Sequence, residues 1–251
     1  MTSQGEIVRG LQERAARALP AERVEDAGGW WLRHAPRCSW WVGSVLPHRE
    51  AEPDELVRRV AGAEAFYALH GGVARFQISP GVCPRGLDAL LAARGYRRES
   101  PMSLRAAPTA RVMDRLPAGP TRVDVADRLS REWFDGWLAV HGPGDPQAEW
   151  DVLARVEQPC GYARARIGDE VVAVGRVVVD AGWAGVFGLA TLARARHNGA
   201  ARGVLAALAG WAGVHGGDHL YLQVEPGNVP AVRLYERAGF TELCAYHYRN
   251  T

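Results

Sequence analysis

Residues 194–203 read Arg-Ala-Arg-His-Asn-Gly-Ala-Ala-Arg-Gly, and residues 228–240 read Asn-Val-Pro-Ala-Val-Arg-Leu-Tyr-Glu-Arg-Ala-Gly-Phe. The first stretch follows an apolar run, Ala184–Leu192, and precedes Gly203–Val214, where leucine, alanine and tryptophan recur on a helical period. It is therefore a strand-to-helix turn. Small residues at Gly199, Ala200 and Ala201 let the backbone pass close to a ligand, and a helix start offers N–H groups that no preceding carbonyl takes. Arg196 and Arg202 add positive charge. Such a turn suits a diphosphate, although a helix start with solvated arginines reads the same way. The chain has no lysine and no GxGxxG, so the two common nucleotide loops are disfavoured.

Working outward, Glu132–Val140 carries apolar and aromatic residues at helical spacing. Tyr162–Ile167 and Val171–Val179 are strands joined at the hairpin signal Gly168-Asp169. Leu220–Val224 alternates as a strand, Ala231–Ala238 is a helix, and Glu242–Tyr248 is a last strand. The order helix, three strands, helix, strand, helix, strand predicts an α/β (α+β) fold, with a mixed, mostly antiparallel sheet flanked by helices. A parallel pair must join the strands on either side of the Gly203–Val214 helix.

Together, Arg196-x-x-Gly199-x-Ala201 and Asn228-x-x-Ala231-x-x-x-Tyr235-x-x-x-Gly239-Phe240 resemble the acetyl-CoA-binding core of the GNAT acyltransferase superfamily, over about residues 122–248. The match departs at Ala201, where glycine is commoner, and at Ala193, where proline is usual. The resemblance implies acetyl-CoA as co-substrate and transfer of its acetyl group to a primary amine of a small molecule or peptide. It places the pantetheine arm along the backbone of Leu189, Ala190 and Thr191 and the diphosphate against Arg196, His197, Asn198, Gly199, Ala200, Ala201 and Arg202. Asn228 would meet the cofactor arm. Tyr235 would be the general acid to the departing thiolate, since a phenol stays protonated at neutral pH; its bland alternative is a packed helix tyrosine. The two strands must splay to admit the thioester, so a bulge is expected near Ala190–Ala193.

The base is left open. Gln223 stands where some members of the family have a glutamate and cannot take a proton. Glu225 shares its strand face and could act through water, or simply be solvated. Trp133 and Trp137, four apart on one helix, form either an acceptor wall or a core stripe. His215-Gly-Gly-Asp218-His219 has two glycines that break the helix needed to align its histidines, so no metal is expected. A catalytically decayed protein that binds or senses acyl-CoA is the alternative function.

The first half repeats the closing phrase. Phe76–Tyr96 reads FQISPGVCPRGLDALLAARGY beside LQVEPGNVPAVRLYERAGF at Leu222–Phe240. Its elements are strands at Gly29–Arg33, Ser39–Val45 and Ala74–Ile78 and helices at Glu55–Leu69 and Leu87–Ala93. Leu91 falls at the place of Tyr235 and Pro84 near that of Asn228, and no arginine-glycine turn precedes Phe76. Tandem GNAT-like domains follow: residues 1–105 degenerate and without a cofactor site, 106–121 an alanine- and proline-rich linker, and 122–251 the catalytic domain, with one active site per chain.

Composition sets the outer limits. With 47% hydrophobic and 23% charged residues the 251-residue chain is globular, and a net charge of +2 gives no broad nucleic-acid footprint. No apolar run reaches the roughly 20 residues of a membrane span. The N-terminus lacks a signal-peptide core. The four cysteines form no CxxC pair, so neither a disulfide framework nor a cysteine zinc site is expected, and a reducing cytoplasm is the expected compartment. The acceptor amine, the acyl length and the oligomeric state are not fixed by these residues.

Overall fold

The computed structural model describes residues 3–117, 121–141 and 144–251. The chain forms two compact units: the described residues up to Leu104 with Leu243–Thr251, and Arg105–Glu242.

In the N-terminal unit, α1 (Gln4–Ala18) opens with a capping box between Ser3 and Glu6. A small antiparallel sheet follows, β1 (Arg23–Asp26), β2 (Trp30–His34) and β3 (Leu46–Pro47). Next come α2 (Pro53–Leu69), β4 (Phe76–Ile78), α3 (Leu87–Ala93) and β5 (Arg97–Pro108). Trp30, Val60, Phe76, Leu87 and Leu91 are buried together. The expected strand at Ser39–Val45 is instead a 3₁₀ turn at Trp40–Gly43 with β3 after it. There the buried Arg33 guanidinium donates to the Ser44 and Trp41 carbonyls at 2.9 and 3.0 Å, local bonds that take the place of a ladder.

Where β3 and β4 meet, the chain makes a single parallel bridge, Val45 with Phe76. Just beyond it α1 enters: Gln12 Nε2 donates to Ser79 Oγ at 2.5 Å, and His48 Nε2 donates to Gln12 Oε1 at 3.0 Å. Gln12 and Ser79 are almost wholly buried, so this amide ties the two strand ends together and occupies the space between them.

The second unit continues with α4 (Thr109–Arg115), β6 (Arg122–Ala126), α5 (Arg131–His141), α6 (Pro146–Ala154), β7 (Cys160–Ile167), β8 (Glu170–Asp180) and β9 (Trp183–Thr191). Helix α7 (Ala200–Val214), β10 (His219–Val224), α8 (Val229–Ala238) and β11 (Thr241–Asn250) follow. The sheet runs β10-β9-β8-β7-β6, all antiparallel except β9 with β10. Val204, Leu205, Leu208, Ala209 and Ala212 make the buried stripe of α7, packed against Ala163, Ala173, Val177 and Leu222. Each such leucine is worth about 1.5–3 kcal/mol of burial.

Two boundaries differ from the sequence reading. Residues 105–108, expected in or beside a linker, complete β5, and Thr109–Arg115 form α4; residues 118–120 lie outside the described residues. Ala107, Val112 and Leu116 belong to the α7 core, and Thr109 donates from N and Oγ1 to the Asp218 and Gly217 carbonyls. Alanines that look like linker residues are here small core residues. In addition, β11 carries the chain from Glu242 back into the N-terminal unit, where Tyr248 pairs with Gln77 of β4.

Replacing Gln12 by alanine strands the buried Ser79 hydroxyl and the Nε2 of His48, and should cost about 1–3 kcal/mol, read as a lower denaturant midpoint at unchanged slope.

Candidate active site

The parallel ladder between β9 and β10 runs from Trp183–His219 to Val186–Leu222 and ends there. Both strands continue, β9 to Thr191 and β10 to Val224, so their C-terminal halves face an opening with unshared backbone groups. The cause lies one strand away. Gly175 of β8 is opposed by two residues of β9, Gly188 and Leu189, as the register passes from Val174↔Ala190 to Arg176↔Phe187. This bulge directly precedes the stretch near Ala190–Ala193 expected to carry it. An isolated glycine inside an apolar strand was the available signal, and Gly188 has φ +60°.

At the mouth of this opening α7 begins. Gly199 is its N-cap, left-handed at φ +80°, with no side-chain cap on the first turn. Its conformation, more than close approach, requires glycine. His197 is also left-handed, at φ +67°. Ala200 is buried in the core, so its small size serves packing, whereas Arg196, His197, Asn198 and Gly199 are exposed. The arginines of the turn differ. Arg194 pairs with Glu170, Arg202 donates to the Pro117 carbonyl at 3.1 Å, and Arg196 has no partner among the described residues.

On the other side, Asn228 caps α8, its Oδ1 accepting from the Ala231 N–H at 3.3 Å. Its amide N–H₂ stays exposed. Tyr235, on the buried stripe of α8, packs edge-on against Phe240 at 5.9 Å. Burial pushes its phenol up to about 12, and its hydroxyl has no hydrogen-bond partner among the described residues. Glu225 is exposed in the turn after β10, and its carbonyl accepts from Asn228 N–H at 2.9 Å. Gln223, two residues earlier, is half-buried.

The two tryptophans of α5 separate. Trp133 is fully buried and its indole N–H donates to the Gly175 carbonyl at 3.0 Å. Trp137 is half-buried over the bulge: a Cβ on Gly188 would stand 2.9 Å from its Nε1. It stacks between Phe134 and His141 at 5.8 and 4.7 Å.

An opened parallel pair beside an uncapped helix start is an arrangement for a long, thin, anionic-headed ligand, and it agrees with what comparison finds. Residues 123–240 match the Acetyltransferase (GNAT) family. That segment belongs to the GNAT acetyltransferase family, which makes the protein an acyltransferase. An "Uncharacterized N-acetyltransferase YobR" of Bacillus subtilis is 26% identical over 250 residues, covering 96% of this chain and 98% of its own. Two solved structures share the fold. One is a GCN5-related N-acetyltransferase from Kribbella flavida (TM-score 0.74, 19% identity, 99% of this chain and 95% of that one). The other is a tandem GNAT protein from the clavulanic acid biosynthesis pathway (TM-score 0.66, 11% identity, 99% and 87%).

The Asn228 cap gives a separable stability test. Asn228→Ala should lower stability by about 1 kcal/mol, seen as a fall in melting temperature, whatever its effect on ligand binding.

Proposed function

We propose that the second unit transfers an acetyl group from acetyl-CoA to a primary amine of a small molecule or peptide, at one site per chain. The observation that carries the proposal is the interrupted β9–β10 ladder, which leaves strand-edge groups of Leu189, Ala190 and Thr191 next to the uncapped amides of α7. An arm with peptide-like groups adds to a strand edge as another strand would. Its diphosphate fits the turn from Arg196 to Arg202, where N–H groups and the helix dipole favour negative charge. The exposed Asn228 amide is free to donate to the same arm. Among the described residues of the N-terminal unit, Gln12 bridges the corresponding strand ends.

In the transfer, the amine lone pair attacks the thioester carbon, the C–S bond breaks, and sulfur leaves with its electron pair. Tyr235 gives its proton to that sulfur. Because burial holds the phenol near 12, it is protonated throughout the neutral range and carries a proton in every cycle. The ammonium proton passes to Glu225 through water, since Gln223 cannot accept one. Trp137, whose indole N–H edge lies over the bulge while its faces stack on Phe134 and His141, forms the acceptor wall and suits an apolar amine. Trp133, fully buried, has no surface to offer an acceptor.

Saturating acetyl-CoA should raise the melting temperature of the wild type, because a ligand at a hundred times its dissociation constant adds about 2.7 kcal/mol to the folded state. Gly199→Glu should fold and lose that shift. An absent shift in the wild type at millimolar acetyl-CoA sinks the proposal. Tyr235→Phe should keep the shift and lose about 10²–10⁴ in kcat, as expected for removal of a general acid. The pH profile follows from the same group. Its folded pKa is raised, so its proton is lost only as pH rises toward 12; kcat should climb as the amine deprotonates and show no falling limb below about pH 10. An alkaline limb near pH 8 would exclude Tyr235 as the acid.

A further inference from the structure

The bulge that opens the site has a built support. Gly175 and Gly188 face each other across β8 and β9 with Leu189 as the extra residue. On the α7 side, a Cβ on Gly175 would lie 2.9 Å from Val204 Cγ1 and 3.1 Å from Leu189 Cδ1. On the α5 side, Trp133 spans both strands: its N–H reaches the Gly175 carbonyl at 3.0 Å, and its Cη2 comes to 3.8 Å from where a Gly188 Cβ would stand. Tyr162 of β7 packs edge-on against the indole at 5.2 Å, and Trp133 has no exposed surface. One side chain therefore fixes the bulged glycine of β9 and the single residue opposing it on β8. Trp137, one helical turn on, touches the same glycine, yet its indole N–H has no partner among the described residues.

We propose that Trp133 is a positioning residue for acyl transfer, clamping the Gly175/Gly188 bulge and so setting the direction of the Leu189–Thr191 backbone along the opening. The inference rests on the acyltransfer reading for its catalytic part and on geometry alone for the clamp. Catalysis is sensitive to such support, since an error of about 1 Å in a reacting geometry costs on the order of a hundredfold in rate.

Trp133→Phe keeps a ring and removes the N–H. Amide hydrogen exchange at Gly188, Leu189 and Ala190 should speed up at least tenfold while α7 and β7 keep wild-type protection. With the best acceptor from an amine panel, kcat should fall at least tenfold, with the amine KM and the acetyl-CoA melting shift retained. Trp137→Phe should do the opposite, raising the amine KM and leaving exchange at the bulge unchanged. Wild-type exchange at residues 188–190 in Trp133→Phe, or acceleration spread evenly through the sheet, would overturn the clamp and leave Trp133 a core residue. Should Trp133→Phe not fold, Gly188→Ala strains the same bulge from β9 and must give the same local exchange signature for the clamp to stand. A wild type that shows no acetyl-CoA shift defeats the acyltransfer reading separately, and the exchange comparison still decides the clamp.

Discussion

The functional unit depends on a parallel ladder that stops early. β9 and β10 share hydrogen bonds only as far as Val186 and Leu222, although both strands run on. A buried backbone N–H or C=O must find a partner, so strands do not part without a reason and do not stay parted without something to fill the gap. Here the reason is the extra residue in β9 opposite Gly175, which turns the strand away from its parallel neighbour. The filling is proposed to come from a ligand with groups of its own to share. The first turn of α7 lies where the diverging strand ends, so one distortion brings a strand edge and a helix N-terminus to the same place.

The two units treat the same problem differently. In the N-terminal unit β3 and β4 also make a parallel contact and then part, but the space beyond is taken by Gln12 of α1, bonded to both sides. A buried amide with both ends satisfied is stable, and removing it would leave two polar groups stranded. Helix α1 thus does in the first unit what a ligand is proposed to do in the second.

Much of the second unit was legible in the residues. The helix at 132–140, the hairpin at Gly168-Asp169, the apolar strands and the two helices downstream all announce themselves by periodicity, and each was found within a few residues. The turn from Arg196 to Arg202 and the phrase from Asn228 to Phe240 carried the family. The first unit was less legible. Ser39–Val45 has strand composition but is a 3₁₀ turn, because Arg33 takes its carbonyls. Residues 106–116 have linker composition but are core, because Ala107 and Val112 lie beneath α7. Composition reports what a residue prefers; it does not report which neighbour arrives from a hundred positions away.

Sequence alone therefore determined the fold class, the superfamily and the glycine turn that opens α7, because these rest on local periodicity and on glycine and cap residues at fixed spacing. Tertiary structure decided the rest. It moved the bulge to Gly188–Leu189, made Asn228 a helix cap, buried Ala200 and Tyr235, and separated Trp133 from Trp137 although they share one helix face. A helical period can say that two indoles point the same way. Only the packed sheet beneath them, with a carbonyl at Gly175 and a bare Cα at Gly188, decides which indole N–H is taken and which has no partner among the described residues.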